Sequence, residues 1–250
     1  QMGMKKRWMG VLFSVLMIIC FAYGFNGLQS YNMSSALAYY IPDYSKTICP
    51  MLVGLVLAAA SAWVIFGGVH RIGFITSVIV PVMAIGYLLL GAVTILMHLP
   101  QIPGILAMIV SQAFDAQAIF GGFAGSAVVI GVKRGLFSNE AGMGSAPNAS
   151  AAAEVSHPVK QGMVQVLSVF IDTLLICSAT AFMLLCSGVE PTAELEGAPY
   201  VQAALSASFG QIGPIFITVA MVLFAFTTLI GNLYYVDNCL SYIVGKTPKD

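Results

Sequence analysis

The sequence predicts an all-α integral membrane protein, and three observations carry that prediction. Hydrophobic residues fill 59% of the 250 positions and charged residues only 8%, with a mean hydropathy of +0.92. A soluble domain carries about a quarter charged residues, so this chain has the bilayer as its solvent. The apolar residues also gather into runs, each near the roughly 20 residues that a helix needs to cross a bilayer. Finally, one further apolar segment is interrupted by a polar, glycine-rich stretch, at residues 133–154.

Taken in order, the first run covers residues 8–28 and follows Lys5, Lys6 and Arg7. It is too long for the apolar centre of a signal peptide and no small-residue cleavage site follows, so it is a span. The second run covers residues 48–69, and the third residues 74–97, bent at Pro81. Residues 99–117 are moderately apolar and punctuated by Pro100, Pro103 and Asp115, as expected of a short interfacial or re-entrant helix. After the interrupted segment come a fourth span, residues 163–185, and a fifth, residues 214–235, with room to continue to Ile243. Between these two, residues 187–211 hold Glu190, Pro191, Glu194, Glu196 and Pro199, then an amphipathic stretch at 200–209. No linker or soluble domain is evident, so residues 1–250 read as a single transmembrane domain of about six spans, one of them broken.

Several function classes fall away. The formal net charge is zero and no basic face with interleaved aromatics occurs, so no nucleic-acid partner is expected. Five cysteines lack the paired spacing of a redox or metal site and read as small packing residues. His70 and His98 sit at span edges and His157 in a loop, none spaced for metal binding. No histidine lies at mid-span to act as base for Ser138 or Asp172, which argues against an intramembrane hydrolase.

The interrupted segment organises the rest. Gly142 and Gly144 lower the cost of unwound backbone, and Pro147 removes a donor and resists a continuing helix. Apolar sequence precedes the stretch (residues 118–132) and small, helix-compatible residues follow it (149–153), the pattern of a membrane helix broken in its middle. Such breaks occur at membrane depth only where protein or a water-filled cavity satisfies the freed N–H and C=O groups. In secondary transporters those groups and half-helix ends bind substrate and coupling ion. The alternative is a polar loop outside the membrane. Basic residues favour the cytoplasmic side. If residues 118–154 cross once, Lys5, Lys6, Arg7, Arg71, Lys160, Lys246 and Lys249 fall inside and only Lys46 outside, seven against one. Two crossings or none would give four against four. One broken crossing is therefore expected, with the N-terminal end cytoplasmic and Glu190, Glu194 and Glu196 outside.

Polar residues at depth are costly and hence informative. Gln161, Gln165, Ser168 and Asp172 recur at helical spacing, so one face of the fourth span is polar. Asp172 lies near mid-bilayer and must be paired, protonated or bound to a cation. It is either a cation-binding carboxylate or one locked to a Lys or Arg of the interrupted segment. Glu140 is expected to pair with Arg134 or Lys133. On the fifth span Thr227, Thr228 and Asn232 supply the oxygens that a hard cation such as Na+ accepts. Each threonine can instead bond back to the i−4 carbonyl. Asn26, Gln29, Ser30 and Asn32 form a polar cluster at the outer end of the first span, where Gln29 can meet a zwitterion or a neighbouring helix.

The run Gly131-Val132-Lys133-Arg134-Gly135-Leu136-Phe137-Ser138-Asn139-Glu140-Ala141-Gly142-Met143-Gly144-Ser145-Ala146-Pro147 closely resembles the hallmark of the alanine/glycine:cation symporters. The resemblance extends to His157-Pro158-Val159-Lys160-Gln161-Gly162 and Phe170-Ile171-Asp172-Thr173, and to Val80-Pro81-Val82-Met83 and Leu223-Phe224-Ala225-Phe226-Thr227-Thr228-Leu229-Ile230-Gly231. It implies symport of a small neutral amino acid, alanine or glycine, coupled to Na+ (or H+) across the plasma (inner) membrane. It also implies the inverted-repeat helical bundle of the leucine-transporter type. By that likeness Gln29, Phe137, Ser138, Asn139, Gly142, Thr228 and Asn232 surround the substrate, and Thr227 and Thr228 stand near a sodium position. Family members vary at the Asn232 position, some carrying Trp. The family's broken first helix of Gly-Thr-Gly-Asn type and its Gly-Gly-Pro-Gly…Phe-Trp-Met-Trp helix have no counterpart here. The chain thus reads as a fragment equivalent to the third through eighth core helices. Another amino-acid permease of the same fold would carry broken helices too, but would not need the Ser-Asn-Glu-Ala-Gly run.

Overall fold

The computed structural model describes residues 6–41, 43–114, 127–140, 142–151, 153–192, 195 and 197–245. Lys5, Asp115, residues 118–126, Ala141, Glu194, Glu196, Lys246 and Lys249, all used above, lie outside them. The described residues form helices and turns, with no strand among them.

The first helix, α1 (Arg7–Ala38), runs ten residues past the expected end of the first span. No proline occurs between Arg7 and Ala38, and the helix stops shortly before Pro42. The cluster Asn26, Gln29, Ser30 and Asn32 therefore lies within a continuous helix, not at its outer end. α2 (Cys49–Ile65) is shorter than the expected second span. Its last turn is cut at Phe66 and Gly67, and Gly68 adopts φ +79, a left-handed conformation that glycine takes without penalty. Its 17 residues reach about 25 Å, still within the range of a spanning helix. α3 (Gly68–Met97) continues through Pro81 as one helix. A single turn (Leu99–Gln101) leads to the short apolar α4 (Ile102–Ala113), with Pro103 in its first turn.

α5 (Ala127–Ser138) and α6 (Ser145–Ser150) flank the interruption. α7 (Pro158–Ser187), α8 (Ala198–Phe209) and α9 (Ile212–Val244) complete the order. Among the described residues four helices are long and apolar enough to cross a membrane, namely α1, α3 from His70, α7 and α9. Two of them contain a π-helical segment, Ile19–Phe25 in α1 and Ile171–Ile176 in α7.

The chain divides into two compact units, residues 1–85 with 190–250, and residues 86–189, the boundary falling inside α3. In the first unit α9 packs on α1, α2 and α8. Met33, Leu57, Ala225 and Leu229 form its core, with Val53, Val222 and Phe226 around them. Phe21 stacks on Phe25 and meets Tyr235 edge-on. The junction of α8 and α9 needs a glycine at 213, because a Cβ there would sit 2.5 Å from the Leu205 carbonyl oxygen. In the second unit α3 and α7 approach closely at Gly91, where a Cβ would lie 2.8 Å from that of Ala179. One turn away, the Tyr87 hydroxyl bonds the Thr180 hydroxyl at 2.7 Å.

Candidate functional site

The candidate residues fall into two groups, one in each unit. In the second unit three described residues of the interruption between α5 and α6 have positive φ, +54 at Glu140, +80 at Gly142 and +88 at Gly144. Helical bonding fails across this stretch, leaving turn-like bonds such as Met143 N–H to the Glu140 carbonyl at 3.1 Å. A Cβ added to Gly142 would meet nothing within 4 Å, so open space lies beside that backbone. Phe137 and Ser138 end α5, directly before the turn that holds Asn139 and Gly142.

Ser138, the last helical residue of α5, donates its hydroxyl to Asp172 Oδ2 at 2.6 Å. Its Oγ also lies 3.3 Å from Cys177 Sγ. Asp172 is therefore tied to the interrupted segment, but through a serine and not through Lys133 or Arg134. Those two long cations are exposed. Their heads can reach water, whereas desolvating a bare ion pair carries a penalty that a hydroxyl donor avoids. The expected pair of Glu140 with Arg134 or Lys133 is absent as well. Among the described residues the salt bridge is Lys46–Asp43. Glu140 stands in a left-handed turn that carries its side chain away from the α5 register.

Two hydroxyls that sequence reasoning passed over stand out here. Ser145 Oγ, at the start of α6, and Thr173 Oγ1, in the π segment beside Asp172, are buried without a hydrogen-bond partner. A buried unpaired polar group costs about 1–3 kcal/mol, so each invites an explanation. Both belong to the motifs that carry the family resemblance, but nothing in their spacing distinguishes them from packing residues. The π segments were equally invisible, although such segments often accompany functional positions in helices.

In the first unit Asn232 is 2% exposed and donates Nδ2 to Asn26 Oδ1 at 2.9 Å. The amide pair joins α9 to α1 just after the π segment of α1. Thr227 bonds back to the carbonyls of Leu223 and Phe224 at 3.0 and 3.1 Å, and Thr228 to that of Phe224 at 2.8 Å. The back-bonding alternative thus accounts for both hydroxyl protons, and each oxygen keeps lone pairs that can accept a cation. Gln29 is half-buried on α1, one turn after Asn26. Gln202 was also missed. Fully buried on α8, it donates to the Ala36 carbonyl at 2.9 Å and to Thr218 Oγ1 at 2.7 Å. A cavity of about 420 Å³ lies between α1, α2 and α9, with Ser30, Gly54, Ser61 and Leu229 among its lining residues. Its wall is mainly apolar, and Gln29, Thr227, Thr228 and Asn232 do not line it, so it is a poor match for a zwitterion.

Comparison with known proteins follows the same lines. The model of the sodium:alanine symporter family matches residues 1–249. The chain is 43% identical over 249 residues to the amino-acid carrier protein AlsT of Bacillus subtilis, covering 100% of this chain and 52% of that protein. It is 43% identical over 243 residues to the probable sodium/glutamine symporter GlnT of the same organism, covering 97% and 50%. The sodium/alanine symporter AgcS of Methanococcus maripaludis is 35% identical over 248 residues, covering 98% and 54%. The chain spans about half the length of these curated relatives.

Proposed function

The chain belongs to the sodium:alanine symporter family, a family of multi-pass membrane transporters and not of enzymes, and from that premise we propose that it takes part in sodium-coupled symport of a small neutral amino acid, alanine or glycine. The fold we assign is a portion of the leucine-transporter-type bundle, equivalent to its third through eighth core helices.

The observation that carries this reading is the interruption at residues 139–144 beside the Ser138–Asp172 hydrogen bond. A zwitterion brings one carboxylate and one ammonium. Freed backbone N–H groups suit the first and freed carbonyls the second, and an unwound helix offers both. The substrate contacts are assigned to Phe137, Ser138, Asn139 and Gly142 with Gln29, Thr228 and Asn232. The Asn26–Asn232 bond supports this by fixing the orientation of one amide. Na+ is assigned to Thr227 and Thr228, whose hydroxyl oxygens suit a hard cation. Orientation follows the basic residues, with residues 157–160 cytoplasmic and Glu190 outside.

A second reading has H+ as the coupling ion, carried by Asp172. The position of that carboxylate within an apolar helix, tied to the break by Ser138, favours it. Alanine uptake by the full-length protein, measured against Na+ at two pH values, separates the two. With Thr228→Ala the half-saturating Na+ concentration should rise about tenfold, the loss of one oxygen contact to a charged group. Linkage then requires a matching loss of alanine affinity at low Na+. An unshifted Na+ curve in Thr228→Ala, with pH dependence abolished in Asp172→Asn, would replace the sodium reading by the proton one.

A further inference from the structure

The turn between α2 and α3 has a feature apart from the residues assigned above to substrate and cation. Arg71, half-buried in the first turn of α3, donates Nη1 to the Trp63 carbonyl at 2.9 Å, and its guanidinium carbon lies 4.7 Å from the centre of the Trp63 ring. The side chain lies back across the turn because residue 67 is glycine. A Cβ there would collide with Arg71 Nε, Cδ and Cζ. Pinned this way, the cation has no carboxylate partner among the described residues. The sequence has no Asp or Glu between Asp43 and Asp115, and among the described residues the salt bridge is Lys46–Asp43. A guanidinium carries five N–H donors, of which the Trp63 carbonyl takes one. His70 adds a second basic side chain beside it.

The surroundings are apolar and aromatic. Trp63 is 63% exposed, Phe66 90% and Phe74 71%. Two apolar helices meet at this turn, which places it at the membrane–water boundary where headgroups lie and where Trp is enriched. An arginine pre-set on an aromatic face, lacking a counter-ion, at that depth fits one kind of group. A phosphate accepts the guanidinium fork bidentately, and acyl chains cover the exposed rings.

We propose that this turn is a binding site for an anionic phospholipid, its phosphate held by Arg71 and its acyl chain against Trp63 and Phe66. The site is independent of the substrate and cation residues. Trp63 belongs to the site and reports on it directly. The full-length protein, with every tryptophan except Trp63 replaced by phenylalanine, is reconstituted in phosphatidylcholine vesicles containing either brominated phosphatidylglycerol or brominated phosphatidylcholine at equal mole fraction. Quenching of Trp63 should reveal an affinity for phosphatidylglycerol about fivefold above that for phosphatidylcholine, the preference expected for one basic residue at an anionic surface. Arg71→Gln should bring the ratio to about one while quenching by brominated phosphatidylcholine persists, showing that Trp63 still meets lipid. Gly67→Ala keeps the charge but pushes the side chain off the ring, and should lower the ratio part-way. Equal quenching by both lipids in the parent chain would overturn the site. A preference that survives Arg71→Gln would overturn the assignment to Arg71, and an unchanged ratio in Gly67→Ala would overturn the pinned geometry.

Discussion

Replacing Gly142 by valine tests whether the unwound turn contacts substrate. Gly142 adopts φ +80, and a Cβ there meets no atom within 4 Å. The added Cβ therefore meets no collision, and the perturbation is chiefly one of backbone conformation. Holding a non-glycine residue in the left-handed region costs about 1–3 kcal/mol, most for a β-branched one. The mutant turn escapes that strain by moving to negative φ, which redirects the freed N–H groups. If binding requires the observed turn, the strain must be restored on binding, and alanine affinity should fall about fivefold to a hundredfold. Gly142→Ala should fall toward the lower end. Gly135→Ala is the control, since Gly135 lies in α5 with a helical φ and equal open space. It should leave affinity unchanged. The assay is radiolabelled alanine binding to purified full-length protein, with expression and thermal stability measured alongside. A well-expressed Gly142→Val variant with unaltered alanine affinity would refute the reasoning and return the stretch to an ordinary loop.

Three further outcomes are expected. In a cysteine-free background, Glu190→Cys should react with an impermeant maleimide in intact cells and Lys160→Cys should not, both positions being exposed; the reverse pattern would rule out a single broken crossing. Gln202→Leu removes both bonds that hold α8 to α1 and α9, though it also removes the unpaired Oε1. The net loss is about 1–2 kcal/mol, a fall of several degrees in melting temperature in detergent, and an unchanged melting temperature would discount the anchor. Gly91→Val forces a side chain into Ala179 and should destabilise by about 1–3 kcal/mol, whereas Gly91 variants as stable as the parent would show that α3 and α7 can separate there.

Much of the architecture was legible because the bilayer imposes simple rules. Apolar runs longer than a helix needs had to be helices, and α7 and α9 exceed their expected limits by only a few residues at most ends. The boundaries that moved did so for local reasons. α1 ran on because Met33 and Ala36 beyond the expected end are buried against the rest of the first unit, and the Ala36 carbonyl accepts from Gln202, contacts that hydropathy does not register. α2 stopped early because a left-handed glycine and the Arg71 contact supply an end that hydropathy does not register.

Sequence alone determined the solvent, the helical class, the place of the break and the family, since each depends on residue type and order along the chain. Gly142, Gly144 and Pro147 announce a broken helix wherever they occur in an apolar run. Tertiary structure decided which side chains meet. Asp172 needed a partner, and sequence reasoning offered Lys133 or Arg134; only packing selected the Ser138 hydroxyl at 2.6 Å. Asn26 and Asn232 stand 206 positions apart, and Gln202 and Ala36 166, so no local pattern joins them. The physical reason is that a polar group in an apolar interior must find some partner, but chemistry restricts only the kind of partner. Its identity depends on which helix faces lie against one another, and that is a property of the packed chain.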